Sequence, residues 1–154
     1  MRNTHVPHLC LNCNEALTAP EIHLSVNRLG HPLCTPCQHD LKTKLEQTSR
    51  ETVKLYFLLK KRGIAVELEK DDSQNSIDIA IVNAKVNIEV DKPQTSYNRA
   101  KAIDELKRRY YSFEKGYYTL QIPNALVAYD QDDAVSFIEE FLQVSCQPRS
   151  YYHC

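Results

Sequence analysis

Two sets of residues in this 154-residue chain could do chemistry, and they call for different metals. Cys10-Leu-Asn-Cys13 and Cys34-Thr-Pro-Cys37 are two CxxC pairs separated by 20 residues. Four thiolates at that spacing are a donor set that tetrahedral zinc takes. With every position filled, none is open to a reacting water, so the expected zinc is structural. A redox reading would want a single CxxC at a strand-to-helix junction, not two pairs. His5, His8, His31 and His39 lie near enough to replace a thiol, but with four thiols present they read as solvent-facing or supporting groups. The second set is acidic: Asp78, Glu89 and Asp91, carried on the alternating segments Ile77-Asp-Ile-Ala-Ile-Val82 and Val86-Asn-Ile-Glu-Val-Asp91.

Those segments read as a hairpin turning at Asn83-Ala84. Val82 then faces Lys85, so Ile81 faces Val86, Ile79 faces Ile88 and Ile77 faces Val90, an unbroken apolar face. The same register sets Asp78 opposite Glu89, with Asp91 on their side. Like charges directly opposed on a sheet are destabilising. A divalent cation would relieve them, and Asp/Glu oxygens are the hard ligands Mg²⁺ takes, one or two at a time with waters and a phosphate. Simple solvation of all three acids on an exposed face is the alternative at this point.

The remaining elements must position these groups. Glu21-Ile-His-Leu-Ser25 alternates as a strand does, Asn27 to Gly30 reads as a turn, and the second CxxC runs into a helix-favouring stretch from Gln38. Knuckle, hairpin, then knuckle on a helix resembles the treble-clef zinc finger over residues 8–46, a segment too small to fold without its metal. A helix capped by Thr48 or Ser49, with Glu51 in its first turn, ends at Gly63 and feeds a strand at Ile64, Val66 and Leu68. Asp71 to Asn75 is a polar loop. After the hairpin, Thr95 or Ser96 caps a helix to about Phe113, with Ala100, Ile103, Leu106 and Tyr110 inward. Tyr117 to Ile122 is a strand, and Ala125 to Tyr129 reads as a short one. A last helix, capped by Asp132 or Asp133, places Ala134, Phe137, Ile138 and Phe141 in one stripe.

This order, with Asp78 followed by Glu89-Val-Asp91, resembles the PD-(D/E)XK nuclease superfamily, and within it the branch related to very-short-patch-repair endonucleases. Glu51, Asp78, Glu89, Asp91 and the Pro123-Asn124 turn match that branch over residues 48–143. The resemblance implies a metal-dependent DNA endonuclease in which Asp78 and Glu89 hold Mg²⁺, with Asp91, Lys92 and Glu51 completing the catalytic set. Asp91 stands where most of the superfamily has lysine. Lys92 could supply that charge if the strand ends or bulges at Asp91, since adjacent strand residues face opposite ways. Lys92 and Thr95 replace the Gly and His of the branch, and Gln121 stands where it tends to carry Arg.

The expected fold class is therefore α+β or α/β: a small treble-clef-like finger over 1–46, a restriction-endonuclease-like mixed sheet flanked by helices over 47–145, and a tail at 146–154 with Cys146, His153 and Cys154 unassigned. A net charge of -1 gives no overall basic excess, so contact with DNA must come from local patches such as Lys60 to Arg62 or Lys107 to Arg109. Those same residues would also complement helix dipoles near C-termini. Apolar runs are far too short to span a membrane and no signal segment opens the chain, so a cytoplasmic protein is expected. Cutting both strands would call for a homodimer. Two other readings stay open: a nuclease-fold module that has lost catalysis and binds nucleic acid or protein, and a zinc-finger adaptor on a scaffold domain.

Overall fold

The structure, a computed structural model, describes residues 8–71, 76–92 and 96–145. Parts of the expected 71–75 loop, His5, Thr95 and the 146–154 tail lie outside those residues.

Three helices precede the sheet: α1 (Ala19–Leu29), α2 (Thr35–Gln47) and α3 (Arg50–Lys61). The first corrects the expected strand at Glu21 to Ser25. Thr18 accepts from the backbone of Glu21 while the Glu21 carboxylate accepts from the Thr18 N–H, a reciprocal cap that starts a helix with Pro in its first turn. The Thr-x-x-Glu signature was in the sequence, and it outweighs five alternating residues. The helix stops at Gly30, whose φ of 75° glycine adopts without the strain a side chain would bring. The treble-clef hairpin is thereby replaced by a helix. Among the described residues near the cysteines, strand-like pairing is limited to the Leu9–Ala16 bridge.

Ser49 caps α3 through the Thr52 N–H, as one of the two expected caps. The four strands are β1 (Glu67–Asp71), β2 (Ser76–Ile81), β3 (Val86–Val90) and β4 (Tyr118–Ile122), in that spatial order. The first three are antiparallel and β4 joins β3 in parallel, giving a mixed sheet. β1 starts three residues later than the alternation from Ile64 suggested. The hairpin register is the expected one, with Ile79 opposite Ile88 and Ile81 opposite Val86. Its turn is not: Val82–Ala84 form a 3₁₀ turn and Lys85 takes the left-handed conformation at φ 53°. In β1, Glu69 also takes positive φ, 47°, and the ladder passes from Leu68–Ile79 to Lys70–Ile77 without pairing it. Glu69 thus sits opposite Asp78. Thr48 and Ser76 hydroxyls donate to its carboxylate, and Lys44 Nζ on α2 donates to the neighbouring Leu68 carbonyl at 3.1 Å.

One face of the sheet is apolar: Ile77, Ile79, Ile81, Val86, Ile88, Val90 and Ile122 are all buried, with α3 lying across β1, β2 and β3. The helices α5 (Asn124–Tyr129) and α6 (Gln131–Ser145) complete that layer through Val127, Ala134, Val135 and Ile138. α5 corrects the short strand expected at Ala125 to Tyr129. Phe137 departs from its stripe and is 53% exposed. The core is one contiguous cluster running from Cys10, Leu33 and Leu41 into Leu55, Phe57 and the sheet.

The other face meets α4 (Arg99–Glu114), capped by Asn98 rather than by Thr95 or Ser96. Its inward side is not the expected one. Leu106 is 67% and Tyr110 62% exposed, whereas Ser112 is buried and Glu105 and Arg108 half-buried. The helix turns its polar stripe inward because the sheet offers polar partners there: Asn87 Nδ2 donates to Ser112 Oγ at 3.5 Å, and Arg108 reaches Glu89.

Ile88 has no exposed surface and lies at the centre of the apolar face. Ile88→Ala should cost about 2–5 kcal/mol, read as a lower urea midpoint with unchanged slope.

Candidate functional site

The four sulfurs come together as the spacing anticipated. Cys10 and Cys13 lie at the knuckle whose backbone closes by Asn14 N–H to Cys10 O, with Asn14 at φ 64°. Cys34 caps α2 and Cys37 sits in its first turn. Their Sγ atoms all fall within 4.8 Å of one another, and Cys13 and Cys34 are 3.6 Å apart. Zn–S bonds of about 2.3 Å in a tetrahedron require sulfurs roughly 3.8 Å apart, so the cluster could hold zinc. Asn12 donates from its backbone to Cys10 Sγ at 3.4 Å and from its side chain to Cys37 Sγ at 3.2 Å, the kind of outer support that thiolate ligands receive. Burial raises the Cys10 thiol, but N–H donors of Cys34, Cys13 and Asn12 bring it down to about 7. Burial pushes Cys37 up to about 12. Without a metal the four cannot all be thiolates at neutral pH, so metal binding must displace protons.

Tyr56 on α3 donates to Asn12 Oδ1 at 3.0 Å, Lys60 donates to the Asn12 carbonyl at 3.1 Å, and His31 stacks on Phe57 at 4.3 Å between ring centroids. The cysteine segment is therefore seated on α3. Lys60 and Arg62, expected as a basic patch, are engaged within the protein, Arg62 with Glu139 at 2.9 Å.

The acids occupy the α4 face. A cavity of about 430 Å³ is lined by Asp78, Glu89, Asp91, Lys92, Tyr97, Lys101, Glu105, Arg108, Arg109 and Gln121 among others. Asp78 accepts the Val90 N–H at 3.1 Å, across the strand pair. Burial raises the Asp78 carboxyl above its ordinary range, against the Val90 hydrogen bond and Lys92, which lower it. Burial likewise raises Glu89, opposed by Arg108 and reinforced by Asp78. β3 ends at Val90, so Lys92 is released from strand alternation and lines the cavity beside Asp78. Asp91 accepts from Gln121, which in turn accepts from Arg109 at 2.7 Å.

Glu51 lies elsewhere. It lines a separate cavity of about 680 Å³ with Arg28, His31, Glu46, Arg50 and Lys54, and it is not among the residues around Asp78. Three residues at or beside the acids escaped the sequence reading. Arg108 and Arg109 read as part of a basic patch for DNA or as partners of a helix dipole, not as partners of the acids, and Glu69 as a polar position of an alternating strand. The Asn87, Glu89, Asp91 alternation was the available signal for the first two, since a polar sheet face asks for a polar helix face. Nothing local marks Glu69.

The donor set suits the cations it was read for. Two carboxylates on adjacent strands, with room for water and phosphate, meet what Mg²⁺ needs from a protein. The like-charge penalty, however, is already met inside the protein by Arg108 and Lys92.

A mixed four-stranded sheet between helical layers, with a thiol cluster near the N-terminus, defines the class of molecule this is. No protein-family model and no curated protein matches the sequence. Among solved structures it is similar to the catalytic domain of the homing endonuclease I-Bth0305I. The TM-score is 0.52 at 15% identity, over 64% of this chain and 99% of that domain. At that identity the likeness is one of fold, and the fold is nuclease-like. No helix among the described residues is long and apolar enough to cross a membrane.

Asp78 and Glu89 hold raised carboxyl groups, so the folded state binds their protons more tightly than the unfolded chain does. Stability from these groups is thus present at low pH and lost as pH rises through the folded values. Asp78→Asn, which can still accept from Val90, should raise the melting temperature at pH 7 by a few degrees. That gain should vanish below the ordinary aspartate value of 3.8, where wild-type Asp78 is protonated in both states.

Proposed function

We propose that the chain is a metal-dependent nuclease acting on DNA, with a structural zinc at Cys10, Cys13, Cys34 and Cys37. The observation that carries the reading is the pair Asp78 and Glu89, opposed on adjacent strands and desolvated in a cavity rimmed by Lys92, Lys101, Arg108 and Arg109. Acids whose carboxyl groups are raised by burial, gathered in a concave polar site, are where hydrolytic chemistry is commonly found. The similarity to a homing endonuclease catalytic domain supports the class, and the order of Asp78 and Glu89-Val-Asp91 supports the very-short-patch-repair branch of the PD-(D/E)XK superfamily.

Asp78 and Glu89 would hold Mg²⁺, which when bound supplies Lewis acidity to the phosphate and a more acidic water. The chain's own groups do the rest. Val90 N–H fixes the Asp78 carboxylate by its Oδ2. Lys92, beyond the end of β3 and lining the same cavity, would be a cation available to the negative charge that develops on a bound phosphate. Lys101 and the α4 guanidiniums hold the backbone without reading bases. Gln121 orients Asp91. Cutting both strands would take two copies, so a nick is the product expected of one.

A second reading has its own observation: Glu89 is already paired with Arg108 at 3.3 Å, and Asp91 is tied to Gln121. Such self-neutralisation suits a module that binds nucleic acid without cutting.

Supercoiled plasmid decides between them. Zinc-loaded protein should nick it with Mg²⁺ or Mn²⁺ and not with the divalent ion omitted. Asp78→Ala and Glu89→Ala, shown folded, should fall to background. Equal background in all samples beside salt-sensitive DNA binding would establish the second reading. Metal analysis should return one zinc per chain. Cys37→Ser should lose it together with most of the folded state, since a buried ligand and its proton-displacing metal are both removed.

A further inference from the structure

The carboxylate cavity holds two guanidiniums with unused capacity. Arg108 and Arg109, adjacent on α4, reach the acids by separate routes: Arg108 Nη2 lies 3.3 Å from both oxygens of Glu89, and Arg109 Nη2 reaches Asp91 through Gln121. Each is engaged through one terminal nitrogen, and the Nε of each is buried without an acceptor. Such orphaned donors are uncommon in folded proteins. The Nε–H and Nη–H edge of a guanidinium is a parallel donor pair that fits two phosphate oxygens. Both oxygens of Glu89 face Arg108 Nη2, so a divalent cation bound there would sit beside the guanidinium and meet its like charge.

We propose that Arg108 is a phosphate-operated latch on Glu89. In the free protein Arg108 occupies the carboxylate. A phosphodiester entering the cavity draws the Arg108 guanidinium off Glu89 and gives its Nε the acceptor it lacks in the free protein, and the carboxylate is left to a divalent cation without the opposing charge beside it. Phosphate and metal thus bind with positive coupling, and by linkage each strengthens the other equally. The proposal rests on the part of the proposed function that gives this cavity a phosphodiester and a divalent cation, not on cleavage itself.

Binding of Mn²⁺ to the zinc-loaded full chain, followed by calorimetry without nucleic acid, tests it. Arg108→Gln removes the competitor of the metal and should bind Mn²⁺ about five-fold or more tightly than wild type. Its affinity for a short DNA duplex without added divalent ion should fall, with the log–log salt slope smaller by about one. Arg108→Lys keeps the charge and loses the fork, so it should bind Mn²⁺ as wild type does and the duplex more weakly; it carries the test if Arg108→Gln does not fold. Unchanged or weaker Mn²⁺ binding in Arg108→Gln, or an unchanged duplex affinity in Arg108→Lys, overturns the latch. Absence of plasmid nicking with the Mn²⁺ response intact sinks the nuclease reading and leaves the latch standing. Mn²⁺ binding indifferent to Asp78→Asn and to Arg108→Gln removes both.

Discussion

The opposition of Asp78 and Glu89 on neighbouring strands is the constraint around which this protein is arranged. Two carboxylates facing each other on a desolvated sheet face are unfavourable as ions, and burial is the largest influence on both. The fold answers with cations from two elements: Lys92 from the end of β3, and Arg108 and Arg109 from α4. The rotation of α4 follows from the same need. A helix that obeyed its own apolar periodicity would have buried Leu106 and Tyr110 and left Glu89 without a partner. Instead the ionic and hydrogen-bonded stripe goes inward and the apolar residues go to solvent.

How much of this could be read from the sequence depended on which forces were local. The hairpin register followed from alternation, because a one-residue slip would turn every isoleucine to the wrong face. The cysteine cluster followed from spacing. The opposition of Asp78 and Glu89 followed from the register, and so came with the fold. What failed depended on contacts distant in the chain or on competing local signals. The Glu21 to Ser25 alternation lost to a reciprocal cap at Thr18, and Ala125 to Tyr129, read as a strand, became a turn and a half of helix. The facing of α4 could not be derived from α4 alone, since the sheet decides it. Glu51 matched a motif in chain order, yet the fold sends it to a different cavity.

The cysteine segment and the sheet are not independent bodies. Tyr56 and Lys60 reach the knuckle through Asn12, which also supports Cys10 and Cys37, and the apolar cluster runs without a break from Leu33 into α3. The thiol cluster is thereby joined, through Asn12, to the helix that backs three strands of the sheet.

The left-handed turn of the backbone at Glu69 has a consequence for the protein in crowded solution. β1 is an outer strand, and an outer strand normally offers an unbroken row of N–H and C=O groups to any other chain that can pair with it. Here the row is interrupted at Glu69, and the adjacent Leu68 carbonyl is already taken by Lys44 from α2. A stranger's strand would find no continuous template on that side. The conformation that sets a third carboxylate opposite Asp78 therefore also discourages the sheet from growing into a fibre.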